Sequence, residues 1–168
     1  MRRCVIIGGA DIQNYGAAGA YLRPDDFIIC CDSGLKHRAG LGISPDLIIG
    51  DFDSNDDPQL PIETIVLPRE KDDTDTMAAV REAVHRGFAD FLLLGVFGQR
   101  LDHTLANVSI LLWLDNRGKK ALAADDFSEM EIVSKSGAFI DDRFPYFSLV
   151  SVSGKASGVT IRNAKYTL

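Results

Sequence analysis

No run of apolar residues in this chain approaches the roughly 20 that a membrane-spanning helix needs. No leader segment is expected either, because Met1-Arg2-Arg3 runs straight into the apolar Cys4–Ile7, which reads as a core strand. Cysteine is scarce. Cys4, Cys30 and Cys31 lie in strand-like runs without C-x-x-C spacing or a His at ligand spacing. They read as small buried hydrophobes in a reducing compartment. Positive charge is in deficit: 18 Lys and Arg against 24 Asp and Glu give a formal charge of −6. That argues against a nucleic-acid footprint and suits a cationic ligand, or a site that gathers metal ions before phosphate. Repeats and low-complexity segments are absent. The expectation is a soluble cytoplasmic protein that engages neither membrane nor nucleic acid.

Several motifs are missing as well. There is no G-x-x-x-x-G-K-S/T, which excludes a P-loop enzyme. Gly8-Gly9 permits a tight turn or a close backbone approach, but it is no dinucleotide fingerprint. An EF-hand starting at Asp51 would need Gly at position 56 and Glu at 62; Asp56 and Ile62 stand there.

What is present is an alternation of short apolar runs with helical patterns. At 168 residues the chain is one domain, or one with a small appendage. A domain of that size buries roughly 70% of its unfolded surface. Strands are expected at Cys4–Ile7, Phe27–Cys31, Leu47–Gly50, Glu63–Leu67 and Phe91–Leu94. Short helices are expected over Ala17–Leu22, stopped before Pro24, and from about Ser33 to Ala39. Two longer helices follow. Asp72–Arg86 is capped by Thr74 or a neighbouring Asp and closed by Gly87, and Asp102–Asn116 carries Leu105, Val108, Leu112 and Asp115 on one face. This pattern to residue 120 predicts an α/β domain with a mostly parallel sheet flanked by helices. From Ala121 to Leu168 the helical period vanishes. Runs such as Glu131-Ile132-Val133, Phe147–Val150 and Val159–Ile161, separated by Ser-Gly turns, predict a small, shortened antiparallel β domain.

Acids collect where strands end. Leu47-Ile48-Ile49-Gly50 runs directly into Asp51-Phe52-Asp53-Ser54. Two carboxylates one residue apart repel unless something positive sits between them, and oxygen donors favour a hard divalent cation, so Mg²⁺ holding phosphates is expected. Lys71-Asp72-Asp73-Thr74-Asp75 and Gly98-Gln99-Arg100-Leu101-Asp102-His103 open the two long helices, and Asp32 follows the second strand. In a parallel sheet all these stretches fall on one edge and can converge. Together they offer carboxylates for metal, Lys71 and Arg100 for phosphate, and helix N-termini for anions, the apparatus of phosphoryl transfer. Each has a plainer reading: Asp72, Asp73, Asp75 and Asp102 as helix caps, Arg100 as a surface ion pair, His103 as a structural residue. Asp51 and Asp53 have no such duty.

At these motifs the chain resembles the thiamine pyrophosphokinase (thiamine diphosphokinase) family. Pro45–Ser54 is similar to the family's core segment, Lys71–Asp75 to its K-D-x-T-D stretch, and Gly98–Asn107 to its G-x-R-x-D-H-x-x-x-N stretch. Cys31-Asp32-Ser33-Gly34 resembles A-D-G-G, and Gly158–Ile161 with Lys165–Leu168 resembles the G-V-T-L and K-Y-x-L of the C-terminal β domain. The resemblance implies an N-terminal nucleotide-binding domain (1–120) and a C-terminal β-sandwich (121–168) in a homodimer. It implies transfer of pyrophosphate from ATP to the hydroxyl of thiamine, leaving AMP. Mg²⁺ would sit on Asp51, Asp53, Asp72 and Asp75. ATP would lie against Asp32, Lys71, Asp72, Thr74, Arg100 and His103, with Asp51, Asp53, Asp75 and Asp102 as the catalytic acids. Asp75 or Asp102 would accept the proton. Thiamine would lie at the dimer interface. The family continues past the Tyr166 region with further strands and a Ser-Asn motif tied to substrate binding, so a shortened β domain is expected here. Two other readings of the acids remain open: an Asp-based phosphatase or sugar-nucleotide transferase, and a nucleotide-binding module without catalysis.

Overall fold

The computed structural model describes residues 2–52, 60–70, 72–135, 137–152 and 154–166. Among these, seven strands make one sheet in the order β4-β3-β2-β1-β5-β6-β7. They are β1 (Cys4–Ile7), β2 (Phe27–Cys31), β3 (Leu47–Gly50), β4 (Glu63–Val66), β5 (Asp90–Leu94), β6 (Lys120–Ala124) and β7 (Glu129–Glu131). Strands β1 to β6 pair in parallel, and β7 runs antiparallel to β6. The chain winds outward from β1 to β4, crosses back, and continues from β5 on the other side of β1. The order therefore reverses between β1 and β5, and an open α/β sheet takes its ligands at the carboxyl ends near such a reversal.

The apolar runs are continuous because both faces of the sheet are covered. On one face Cys4, Ile6, Ile29, Leu47, Ile49, Phe91 and Leu93 pack against helices α3 (Asp75–His85) and α4 (Leu101–Asp115). On the other, Val5, Ile7, Cys30, Leu92 and Leu94 are packed by Tyr21, Leu22, Leu35, Leu41 and Ile43. These come from the segments around α1 (Tyr15–Gly19), a 3-10 helix (Asp32–His37) and α2 (Arg38–Leu41). The three cysteines are free and buried. Burial pushes the thiols of Cys4 and Cys30 up to about 12, which makes them inert hydrophobes. No helix among the described residues is long and apolar enough to cross a membrane.

Helix α3 begins where the sequence places its cap: Thr74 Oγ1 accepts from the Met77 N–H at 3.2 Å. Helix α4 spans nearly the expected residues but buries a different face. Asn107, Ile110, Leu111 and Leu114 point inward, and Leu105 is 59% exposed. Its sequence is apolar almost all the way round, so periodicity alone does not choose the buried stripe.

The chain divides into two compact units, Met1–Ser134 and Lys135–Leu168. The break falls later than the expected boundary at residue 120. Lys120–Ala124 is not the start of a separate β domain: it extends the main sheet, with Asp90 to Leu94 of β5 in register with Lys120 to Ala124. Its run of small residues carries no helical period, and the sheet it joins is invisible locally. The turn into β7 is fixed by Asp125, whose Oδ1 accepts from the N–H groups of Phe127 and Ser128 at 2.8 and 2.7 Å. In the second unit the described residues form no strand or helix, and Phe139, Tyr146, Val150 and Tyr166 are largely exposed.

Candidate active site

Parallel pairing carries the ends of β2 and β3 to the same edge, where the acids that follow them meet. Asp32, the first residue after β2, is buried and receives the N–H of Ser33 on Oδ1. Its side chain lies across the end of β3, and only glycine fits there: a Cβ on Gly50 would stand 2.5 Å from the Asp32 Cβ. Asp51 comes next in the chain. Phe52 then turns it sharply at φ 51, a left-handed conformation that an aromatic residue adopts only under constraint. Helix α3, laid over the sheet, brings its first residue, Asp75, to the same point.

One carboxylate oxygen from each of Asp32, Asp51 and Asp75 lies within 4.8 Å of the others. Three acids at that spacing can hold a cation. Burial raises the Asp32 carboxyl above its ordinary value, and the negative charges of Asp75 and Asp51 add to the rise against the opposing Ser33 N–H. The N-terminus of α3 lends partial positive charge to Asp75, but the cluster remains a concentration of like charge.

The other expected residues stand as follows. Asp72 is exposed and outside the trio, and Thr74 is occupied as the cap of α3. Asp53 and Lys71 lie outside the described residues. Arg100, Asp102 and His103 share the carboxyl edge but follow β5, three ladder positions from β3, about 14 Å at the usual strand spacing. Arg100 donates through Nη2 and Nε to the two carboxylate oxygens of Asp102 at 2.5 and 3.2 Å. That pairing holds the Asp102 carboxyl down to about 2. Both side chains are about two-thirds exposed, 66% and 63%, so the pair is open to a ligand. His103 is exposed in the first turn of α4. Asn107 is buried, and its Nδ2 donates to the Val96 carbonyl at 2.6 Å, tying α4 to the end of β5.

Sequence reasoning placed Asp32 with the nucleotide contacts and not among the metal ligands. The available signal was its position directly after β2, the mirror of Asp51 after β3. What sequence could not supply was that β2 and β3 are neighbours.

The chain matches the model of the family described as "Thiamin pyrophosphokinase, catalytic domain" over residues 18–123. No curated protein matches it. Among solved structures it is similar to a thiamine pyrophosphokinase from Bacillus subtilis, with a TM-score of 0.67 and 22% identity over 77% of this chain and 63% of that one. A thiamin pyrophosphokinase from Geobacillus thermodenitrificans gives a TM-score of 0.59 and 27% identity over 73% of this chain and 59% of the other. A probable thiamine pyrophosphokinase from Staphylococcus saprophyticus gives 0.58 and 26%, over 78% and 68%. The chain thus spans about three-fifths of the length of the first two, 63% and 59%. The family match takes in most of the chain and every acid of the cluster, and the chain belongs to the thiamin pyrophosphokinase family.

Proposed function

We propose that the protein transfers a pyrophosphoryl group from ATP to the hydroxyl of thiamine, giving thiamine diphosphate and AMP. The observation that carries this reading is the convergence of Asp32, Asp51 and Asp75 at the carboxyl edge, within the family match. In such a transfer the hydroxyl oxygen bonds to the β-phosphorus as the bond from that phosphorus to the α–β bridging oxygen breaks. AMP departs with the bridging oxygen, and the hydroxyl proton passes to a base. Positioning and charge neutralisation dominate this chemistry.

Mg²⁺ is the cation that fits the trio, because all three donors are hard carboxylate oxygens. When bound it would neutralise charge on the triphosphate and on the departing phosphate oxygens. Asp32, Asp51 and Asp75 would hold it, with Asp53 close by in the chain. Arg100, whose Nε and Nη2 face Asp102, would offer its guanidinium charge and Nη1 to the phosphates of a nucleotide lying along the strand ends. Asp102 orients that side chain, and the hydroxyl proton would pass to Asp75 or Asp102. Asp72 and Lys71, on the approach to α3, and His103 complete the expected nucleotide contacts.

Residues 135–168 belong, in this reading, to a β domain, and thiamine binds at the interface of a homodimer. The exposed Phe139, Tyr146, Val150 and Tyr166 are the surface such a partner would cover. A reducing cytoplasmic setting suits three free buried thiols. Incubation with ATP, Mg²⁺ and thiamine tests the proposal: AMP and thiamine diphosphate are expected, and release of ADP would rule out pyrophosphoryl transfer. Binding of Mg²⁺-ATP without turnover would mark a nucleotide-binding module instead.

A further inference from the structure

The loop after β1, residues 8–14, is held from both sides of the strand-order reversal. From β5, the Gly8 N–H donates to the Leu94 carbonyl and the Ala10 N–H to the Gly95 carbonyl, each at 2.8 Å. From the 3-10 helix that Asp32 opens, His37 Nε2 lies 2.9 Å from the Ala10 carbonyl, and Lys36 Nζ lies 2.8 Å from Asp11 Oδ1. From the loop after β5, Gln99 Nε2 donates to Asp11 Oδ2. From the β6–β7 turn, Asp126 accepts the N–H groups of Gln13 and Asn14 at 2.7 and 3.0 Å.

Asp11 stands out in this set. It is exposed and lies outside the acid cluster. Its two oxygens nevertheless take partners from two different segments, the 3-10 helix and the loop after β5. One leads back to Asp32, through Lys36. The other leads forward to Arg100, through Gln99. Gln99 also sits at φ 50, next to Gly98 at φ 100, and the Arg100 N–H closes back on the Gly98 carbonyl at 2.6 Å. A non-glycine residue stays in the left-handed region only where its surroundings over-determine it, and the bond from its side chain to Asp11 is one such constraint.

We infer that Asp11 is a positioning residue for the nucleotide site: its carboxylate bridges Lys36 and Gln99, and so fixes the Gly98–Arg100 turn that opens α4 relative to the Asp32, Asp51 and Asp75 cluster. This rests on the reading of Arg100 as a phosphate contact. A surface ion pair as such is worth little. The effect of Asp11 comes from linking two segments, the 3-10 helix and the loop before α4, that each carry one end of the site, so its loss is felt in ligand affinity more than in fold stability. Lys36 draws the Asp11 carboxyl below its ordinary value, so the bridge stays charged throughout the neutral range.

Asp11→Ala and Asp11→Asn, made in the whole chain, test this. In Asp11→Ala the melting temperature is expected to stay within about 2 °C of the parent. Amide hydrogen exchange over residues 98–104, measured without nucleotide, should quicken about tenfold. The KM for Mg²⁺-ATP should rise about fivefold, with kcat within about twofold. Asp11→Asn, which keeps an oxygen for Gln99 but loses the charge facing Lys36, should fall between the two. Unchanged exchange over residues 98–104 in Asp11→Ala overturns the inference, as does faster exchange with an unchanged KM. The exchange measurement needs neither ATP nor turnover. If the parent protein makes no AMP, the transfer reading falls, and exchange still decides whether Asp11 holds the loop.

Discussion

At the amino edge of the sheet, Arg3 and Asp26 are both buried and matched. Arg3 donates through Nε and Nη2 to the two Asp26 oxygens at 3.0 and 2.7 Å, and Nη2 also reaches the Tyr21 carbonyl. Asp26 takes the Arg23 N–H as well, so the charges and lone pairs of this pair are largely answered. At the carboxyl edge, a buried Asp32 faces Asp51 and Asp75, all of one sign. Both edges bring charge out of water. One sets opposite charges against each other and gains a fixed geometry; the other gathers three acids of one sign within 4.8 Å. Opposite charges buried together fix a fold, while acids of one sign gathered at a strand edge are an arrangement suited to a cation, and this is the contrast between the two edges.

This contrast can be broken in order of expected effect. Asp51→Asn removes one charge from the trio, and kcat/KM should fall by about 10³-fold or more, while thermal stability without Mg²⁺ stays level or rises. Assay and melting curve together check this; a variant that unfolds as readily as a core mutant would erase the difference between the edges. Asp26→Ala does the reverse. It leaves Arg3 buried without its counter-charge and should cost about 3–5 kcal/mol by denaturant titration, with the KM of the folded fraction unchanged. Addition of Mg²⁺ should raise the melting temperature of the parent, equivalent to about 2.7 kcal/mol at a hundredfold excess over its Kd. Asp51→Asn should lose most of that gain.

The smallest effect concerns His37, buried under the loop after β1 with Tyr15 Oη 2.9 Å from its Nδ1, and with Lys36, Asp11 and Asp126 as the charged groups around it. Burial lowers its pKa below the ordinary 6.5, with Lys36 acting in the same direction and the Ala10 carbonyl and the two acids opposing. The unfolded chain therefore takes up this proton more readily. The contribution to stability is whole above about pH 6.5 and shrinks as pH falls toward the lower folded value. Denaturant midpoints between pH 7 and pH 5 should show this slope, and His37→Gln should flatten it.

Much of the fold was legible because burial on both faces writes itself into short apolar runs. Cys4–Ile7, Phe27–Cys31 and Leu47–Gly50 occur as strands with the expected bounds, and Thr74 caps α3. The misreadings share a cause. Helix α4 has apolar residues on nearly every side, and β6 is a lysine, three alanines and one leucine with no clear period of its own; in both, the neighbour chose the outcome. The site followed the same rule. Acids after strand ends could be read from the chain, but their grouping depended on which strands lie side by side.

The sequence by itself determined that this is an α/β protein with carboxylates at its strand ends, because hydrophobic period and chain punctuation are local properties. It also carried the family resemblance, in three ordered motifs. Only the tertiary structure decided that Asp32 joins Asp51 and Asp75, with Gly50 leaving room for it to do so. The same structure set Asp11 between the 3-10 helix after β2 and the loop after β5. Strand order and helix crossing bring together residues tens of positions apart, and nothing in their separate neighbourhoods encodes that meeting.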